Sequence, residues 1–86
     1  MPEIVVYSKP KCVQCDATIR KLDKLGADYR KIDVTQDPEA LARIKALGYL
    51  EAPVVVVGDE NWSGFKPHHL EWAAKIIAEG TDASDS

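Results

Sequence analysis

Long apolar runs are missing from this 86-residue sequence. Nothing in it approaches the roughly 20 consecutive apolar residues of a membrane-spanning helix. Cysteine is scarce: two residues, too few for the disulfide framework of a small secreted domain. Positive charge is not in excess, because 11 Lys and Arg face 14 Asp and Glu for a net charge of −3. A nucleic-acid binder usually shows a basic face. Met1-Pro2-Glu3 has neither the basic n-region nor the apolar h-region of an export signal. These absences set three expectations: no membrane partner, no nucleic-acid partner and a cytoplasmic location. In that reducing compartment a thiol pair is more often catalytic than structural. With no internal repeat and no linker, one domain is expected over residues 1–80, followed by a disordered polar tail over 81–86.

What is present alternates between strand and helix signals. Ile4-Val5-Val6-Tyr7 is a short apolar run rich in β-branched residues, suited to a strand covered on both faces, and Ser8 to Lys11 breaks it. From Val13 to Leu25, Cys15, Thr18 or Ile19, Leu22 and Leu25 recur at helical steps, and Gly26 supplies the stop. Tyr29 to Val34 alternates weakly and carries charge, as an edge strand does. Asp37-Pro38 is a helix start, with a capping carboxylate before a proline in the first turn. Ala40, Leu41, Ile44 and Leu47 make one stripe before Gly48. Pro53 to Val57 is the most strand-like run. Gly58-Asp59 fits a hairpin turn of type II′ leading into Glu60–Ser63. Lys66-Pro67 opens a last helix whose stripe is Leu70, Ala73, Ala74 and Ile77, closed by Gly80. The predicted order is β-α-β-α-β-β-α, an α/β domain. Its first strand–helix–strand unit is parallel, and four mixed strands carry helices on both faces.

The two cysteines stand as Cys12-Val13-Gln14-Cys15 where the first strand meets the first helix. A helix N-terminus offers unpaired N–H groups and a partial positive charge, which stabilise a thiolate. Residues three apart on a helix lie about 5–6 Å from each other, within the Cα separation of about 4.4–6.8 Å that a disulfide accepts. The closed loop is so short that the bond adds little chain-entropy stabilisation. Cys12, ahead of the first turn, is the expected nucleophile, and Cys15, inside the helix, the resolving thiol. Lys9 and Lys11 add positive charge nearby. Asp16 and Asp33 are the candidates to take the Cys15 proton. A structural zinc site is the rival for any C-x-x-C pair, but it needs four ligands. Only His68 and His69 remain as soft donors, and neighbours on a helix point apart. No metal site is expected, and the two histidines read as solvated first-turn residues. Tyr49 reads as a packing residue.

The stretches VVYSKPKCVQC, ALGYLEAPVVV and NWSGFKPHHL together resemble the NrdH-redoxins, glutaredoxin-like members of the thioredoxin superfamily. The resemblance runs from Ile4 to about Ile77. It implies the thioredoxin/glutaredoxin fold, with Cys12 and Cys15 as the redox pair and a cis peptide bond at Ala52-Pro53. It also implies a shuttle with no bound cofactor that works as a monomer. Electrons would come from thioredoxin reductase, a flavoprotein carrying FAD and using NADPH. They would pass to the catalytic subunit of class Ib ribonucleotide reductase, which supplies deoxyribonucleotide synthesis. By the same likeness Lys9, Val13, Gln14, Ala52 and Pro53 face partners, with Ala52 pairing its backbone to an incoming extended segment. Trp62, Ser63, Gly64, Phe65 and Lys66 stand where glutaredoxins commonly hold glutathione, and the resemblance makes them partner contacts as well. Trp62 and Phe65 have a second reading as core or hairpin packing. Lys66 departs from the arginine common there, keeping the charge without the fork geometry.

Two other functions fit the dithiol less fully. One is a glutathione-dependent glutaredoxin. The other is a thiol-sensing regulatory module without catalysis, although such modules usually carry extra helical sequence.

Overall fold

The computed structural model describes residues 3–78. The expected stop at Gly80 and the tail 81–86 lie outside the described residues. Seven elements follow one another: β1 (Ile4–Ser8), α1 (Val13–Lys24), β2 (Tyr29–Asp33), α2 (Pro38–Ala46), β3 (Val54–Val57), β4 (Glu60–Ser63) and α3 (Pro67–Ala78). The sheet order is β2-β1-β3-β4. β1 runs parallel to β2 and antiparallel to β3, and β3 pairs antiparallel with β4. Charged β2 is therefore an edge strand, as its sequence suggests.

The period of two along each strand divides the core. Ile4, Val6, Val55, Val57 and Trp62 face one side, where Leu22 of α1 and Leu70 and Ala73 of α3 cover them. Tyr7 and Val54 face the other side, against Ala40 and Ile44 of α2. Ile4, Leu22, Leu70 and Ile44 are fully buried or nearly so, and burying one such side chain stabilises the fold by about 1.5–3 kcal/mol.

Local signals set the ends of the helices. The Asp37 carboxylate accepts the Ala40 N–H at 3.1 Å, with Pro38 in the first turn. At the end of α1 Gly26 has φ 72°, with Gly26 N–H donating to Asp23 and Ala27 N–H donating to Leu22. The end of α2 repeats the pattern, with Gly48 donating to Lys45 and Tyr49 to Ile44. Both are Schellman closures that need a left-handed residue, which glycine adopts without steric cost. Gly58 has φ 59° and links Val57 to Glu60 through a two-residue turn. This matches the hairpin expected there.

Three expectations need correction. β1 extends through Ser8, because Ser8 still pairs with Asp33. Leu25 and Leu47 are exposed rather than part of the buried stripes, because each caps its helix where the chain turns away. Trp62, read above both as a partner contact and as a packing residue, is 5% exposed and belongs to the core, so only the packing reading holds.

Candidate functional site

The site assembles at the ends of three segments: the β1–α1 junction, the loop before β3 and the loop after β4. Lys11, the residue before Cys12, has φ 56°, the one non-glycine residue in left-handed conformation among the described residues. That conformation costs an L-residue roughly 1–2 kcal/mol. It turns the chain out of the strand direction and delivers Cys12 as the N-cap of α1.

Cys12 fills the capping role usually taken by a hydroxyl or carboxylate. Its Sγ accepts the Cys15 backbone N–H at 3.1 Å, one of the donors a helix start leaves unpaired. Its carbonyl accepts from Asp16 N–H at 3.0 Å, the first helical bond. The two cysteines are joined at disulfide distance, with Cα atoms 5.1 Å apart. Cys15 is 2% exposed and Cys12 is 8% exposed. The more exposed cysteine is thus also the one whose sulfur faces the amide of the first turn.

Across from the sulfurs, the Ala52-Pro53 peptide bond is cis. Cys12 Sγ lies 3.9 Å from the Ala52 carbonyl oxygen, within reach of a weak S–H hydrogen bond when reduced. Pro53 is buried and Ala52 half-buried. The Pro53 carbonyl accepts Gly64 N–H at 2.9 Å. Gln14 Oε1 accepts Phe65 N–H at 3.2 Å, and Ser63 Oγ reaches the Glu51 carbonyl at 3.5 Å. Cys12, Gln14, Cys15, Ala52, Pro53, Ser63, Gly64 and Phe65 are therefore brought together.

Val13 is 83% exposed beside them, and Lys9 and Lys66 are exposed. No hydrogen bond or ion pair joins Lys9 or Lys11 to a sulfur among the described residues. The two carboxylate candidates for the Cys15 proton stand in different surroundings. Asp33 is committed to Thr35, accepting its N–H at 2.8 Å and its hydroxyl at 2.6 Å. Asp16 is exposed in the first turn of α1. No carboxylate hydrogen-bonds either sulfur among the described residues. Tyr49 packs against the second core and donates its hydroxyl to Asn61 at 2.6 Å.

One feature escaped the sequence. Leu50 is 87% exposed. It precedes Glu51 and the cis bond, so with Val13 and Phe65 it puts an apolar side chain on each of the three segments that carry the site. Its signal was an apolar residue outside any stripe. Of the two residues the helical stripe allowed at that step, Thr18 is the fully buried one, and it satisfies its hydroxyl on the Gln14 carbonyl at 2.9 Å.

Chemically, the arrangement can ionise one sulfur at a helix start and close a disulfide with a second sulfur one turn on. The glutaredoxin family model matches residues 4–62. "Glutaredoxin-like protein NrdH" of Escherichia coli strain K12 is 44% identical over 64 residues, covering 74% of this chain and 79% of that protein. The protein of the same name from Lactococcus lactis subsp. cremoris is 31% identical, covering 78% and 93%. A solved structure of the Escherichia coli NrdH-redoxin, described by its "thioredoxin-like activity profile", superposes with a TM-score of 0.79. It is 40% identical, over 81% of this chain and 92% of that one.

Proposed function

The chain belongs to the glutaredoxin family as an NrdH-type redoxin, a thiol–disulfide oxidoreductase with Cys12 and Cys15 as its pair. From that premise we propose that it is reduced by thioredoxin reductase with electrons from NADPH, and that it reduces the catalytic subunit of class Ib ribonucleotide reductase in the cytoplasm. The observation that carries this reading is the closure of the Gly64-Phe65 loop onto Gln14 and Pro53. That loop occupies the place where the resemblance puts glutathione in other glutaredoxins. The thioredoxin-like activity stated for the Escherichia coli relative supports the same donor.

In the proposed cycle the Cys12 thiolate attacks one sulfur of a protein disulfide. A mixed disulfide forms and the partner's other sulfur leaves as a thiolate. Cys15 loses its proton and attacks Cys12 Sγ. The bond between Cys12 and the partner breaks, the second partner sulfur leaves, and the Cys12–Cys15 disulfide closes. Two electrons have passed to the partner. Thioredoxin reductase returns them by the reverse exchange. FAD stays on that reductase, and the redoxin itself holds no cofactor. The half-buried Ala52 backbone aligns an incoming extended segment by strand-type pairing. Exposed Val13, Leu50 and Phe65 give that partner an apolar surface. One molecule of the redoxin suffices for each exchange.

The test is NADPH consumption with a protein disulfide as acceptor. Thioredoxin reductase should sustain turnover, and addition of the class Ib reductase should couple it to deoxyribonucleotide formation. Turnover with glutathione and glutathione reductase, and none with thioredoxin reductase, would reject the proposal in favour of a glutathione-dependent glutaredoxin.

A further inference from the structure

A cavity of about 400 Å³ lies between β4 and α3, lined by Glu60, Asn61, Trp62, His68, His69 and Trp72. Its lining includes neither cysteine nor the Ala52-Pro53 loop. It sits toward the Gly58-Asp59 end of the hairpin, whereas the dithiol faces the Pro53 and Gly64 end.

Three of its walls are aromatic. The His69 ring meets Trp62 at a centroid distance of 5.0 Å and 60° between planes. Trp72 meets the same indole at 6.4 Å and 67°. Trp62 is the buried member of the three, whereas Trp72 is 42% exposed, a large aromatic surface left to solvent on α3. The Trp62 Nε1–H is buried without an acceptor. The polar groups of the lining differ in availability. Asn61 already accepts the Tyr49 hydroxyl. His68 Nδ1 stands 3.8 Å from Glu71, whose carboxylate also holds Lys21 at 3.0 Å. Glu60 is exposed and makes no ion pair among the described residues.

We infer that this cavity docks the guanidinium of an arginine side chain presented by a partner protein. An indole face attracts a cation through its ring quadrupole. A guanidinium is planar, stacks on aromatic rings and offers a fork of donors to a carboxylate. Glu60 and the exposed indole of Trp72, with Trp62 as the floor behind them, provide both halves of that recognition. Lysine carries a compact, strongly hydrated charge that satisfies them less well. Asp59 adjoins Glu60, and the chain as a whole has net charge −3, so the field draws in a basic partner. An anion would meet the Glu60 carboxylate, and no group of three or more His, Cys, Asp or Glu is placed to hold a metal ion among the described residues. β4 is the outer strand of the sheet, so an extended segment carrying the arginine finds unpaired backbone beside the cavity. The inference is independent of the proposed electron donor and acceptor.

N-acetyl-arginine amide, titrated into the full chain at about pH 8, above the range in which imidazole usually titrates, is the probe. The readout is the indole N–H resonances of Trp62 and Trp72, the two tryptophans of the chain. Saturable shifts at both are expected, with a dissociation constant on the order of 10 mM for so small a ligand. The neutral citrulline analogue should bind at least about tenfold more weakly. Glu60→Gln and Trp72→Leu, both at exposed positions, should each weaken binding about fivefold and leave disulfide exchange unchanged. Equal binding of the citrulline analogue, indifference to Glu60→Gln, or shifts at Val13 and Phe65 in place of the indoles would overturn the assignment. Equal affinity for N-acetyl-lysine amide would overturn the guanidinium preference.

Discussion

The side-chain oxygen of Gln14 accepts the backbone N–H of Phe65 at 3.2 Å across a separation of 51 residues. The next residue back, Gly64, donates its own N–H to Pro53. A residue between the two cysteines thereby ties the helix start to the loop after β4, and that loop is tied in turn to the cis-proline segment. The shape around the sulfurs depends on all three segments keeping register.

Gln14→Ala removes the acceptor while leaving the helix. The loss of one hydrogen bond should cost about 1 kcal/mol, so the Phe65 amide should exchange with solvent about fivefold faster. Reduction of a small synthetic disulfide should stay within about a factor of two, as for a surface substitution, while reduction of a protein disulfide falls. An unchanged Phe65 exchange rate would show that the loop is held without Gln14.

Gly64 has φ 87°, and a Cβ built there would meet Gln14 Oε1 at 3.3 Å. Gly26 also has positive φ, 72°, but a Cβ there meets no atom within 4 Å. Gly26→Ala should therefore carry the conformational cost alone, roughly 1–2 kcal/mol. Gly64→Ala should cost more by denaturant unfolding, and the excess should vanish when Gln14 is also Ala. Equal costs in the Gln14 background would mean that the side chain yields freely.

The elements were legible because their signals are local. Asp37-Pro38, the two Schellman glycines and the Gly58 turn act within a few residues of themselves, and the apolar steps of two and of three to four divide strand from helix. The cysteine pair at a helix start was legible for the same reason. What was not legible depends on distance or on unfavoured conformation. Nothing near Gln14 announces Phe65. Nothing in Lys11 announces left-handed backbone, which Gly, Asn or Asp would have suggested. Trp62 reads equally as surface or core until β4 sets which face it takes. Leu25 and Leu47 continue their helical stripes in sequence, but the caps carry them away from the sheet.

Cys12 caps α1 and takes the Cys15 N–H, whereas Cys15 is buried inside the helix. In the reduced protein, iodoacetamide near pH 7 should modify Cys12 at least about tenfold faster than Cys15. Cys12→Ser should abolish electron transfer. Cys15→Ser should still capture a protein disulfide and accumulate the mixed species. Faster modification of Cys15 would reverse the two roles.

Tyr29 donates its hydroxyl to Asp23 Oδ1 at 2.8 Å, joining the start of β2 to the end of α1. Burial, and then the hydrogen bond and charge of Asp23, raise this phenol above its ordinary value of 10.0. A raised value means that the folded state favours the neutral phenol. The resulting stabilisation is complete below the unfolded-state value and is lost as pH rises through the folded one. The parent should therefore lose stability above about pH 10 through this group. Tyr29→Phe, which has no proton to release, should cost no more than about 1 kcal/mol at neutral pH, because the pair is exposed. Urea unfolding of both proteins should show that gap narrowing between about pH 9 and 11. A constant gap would mean that neither burial nor Asp23 biases the ionisation of Tyr29, because other alkaline titrations act on both proteins alike.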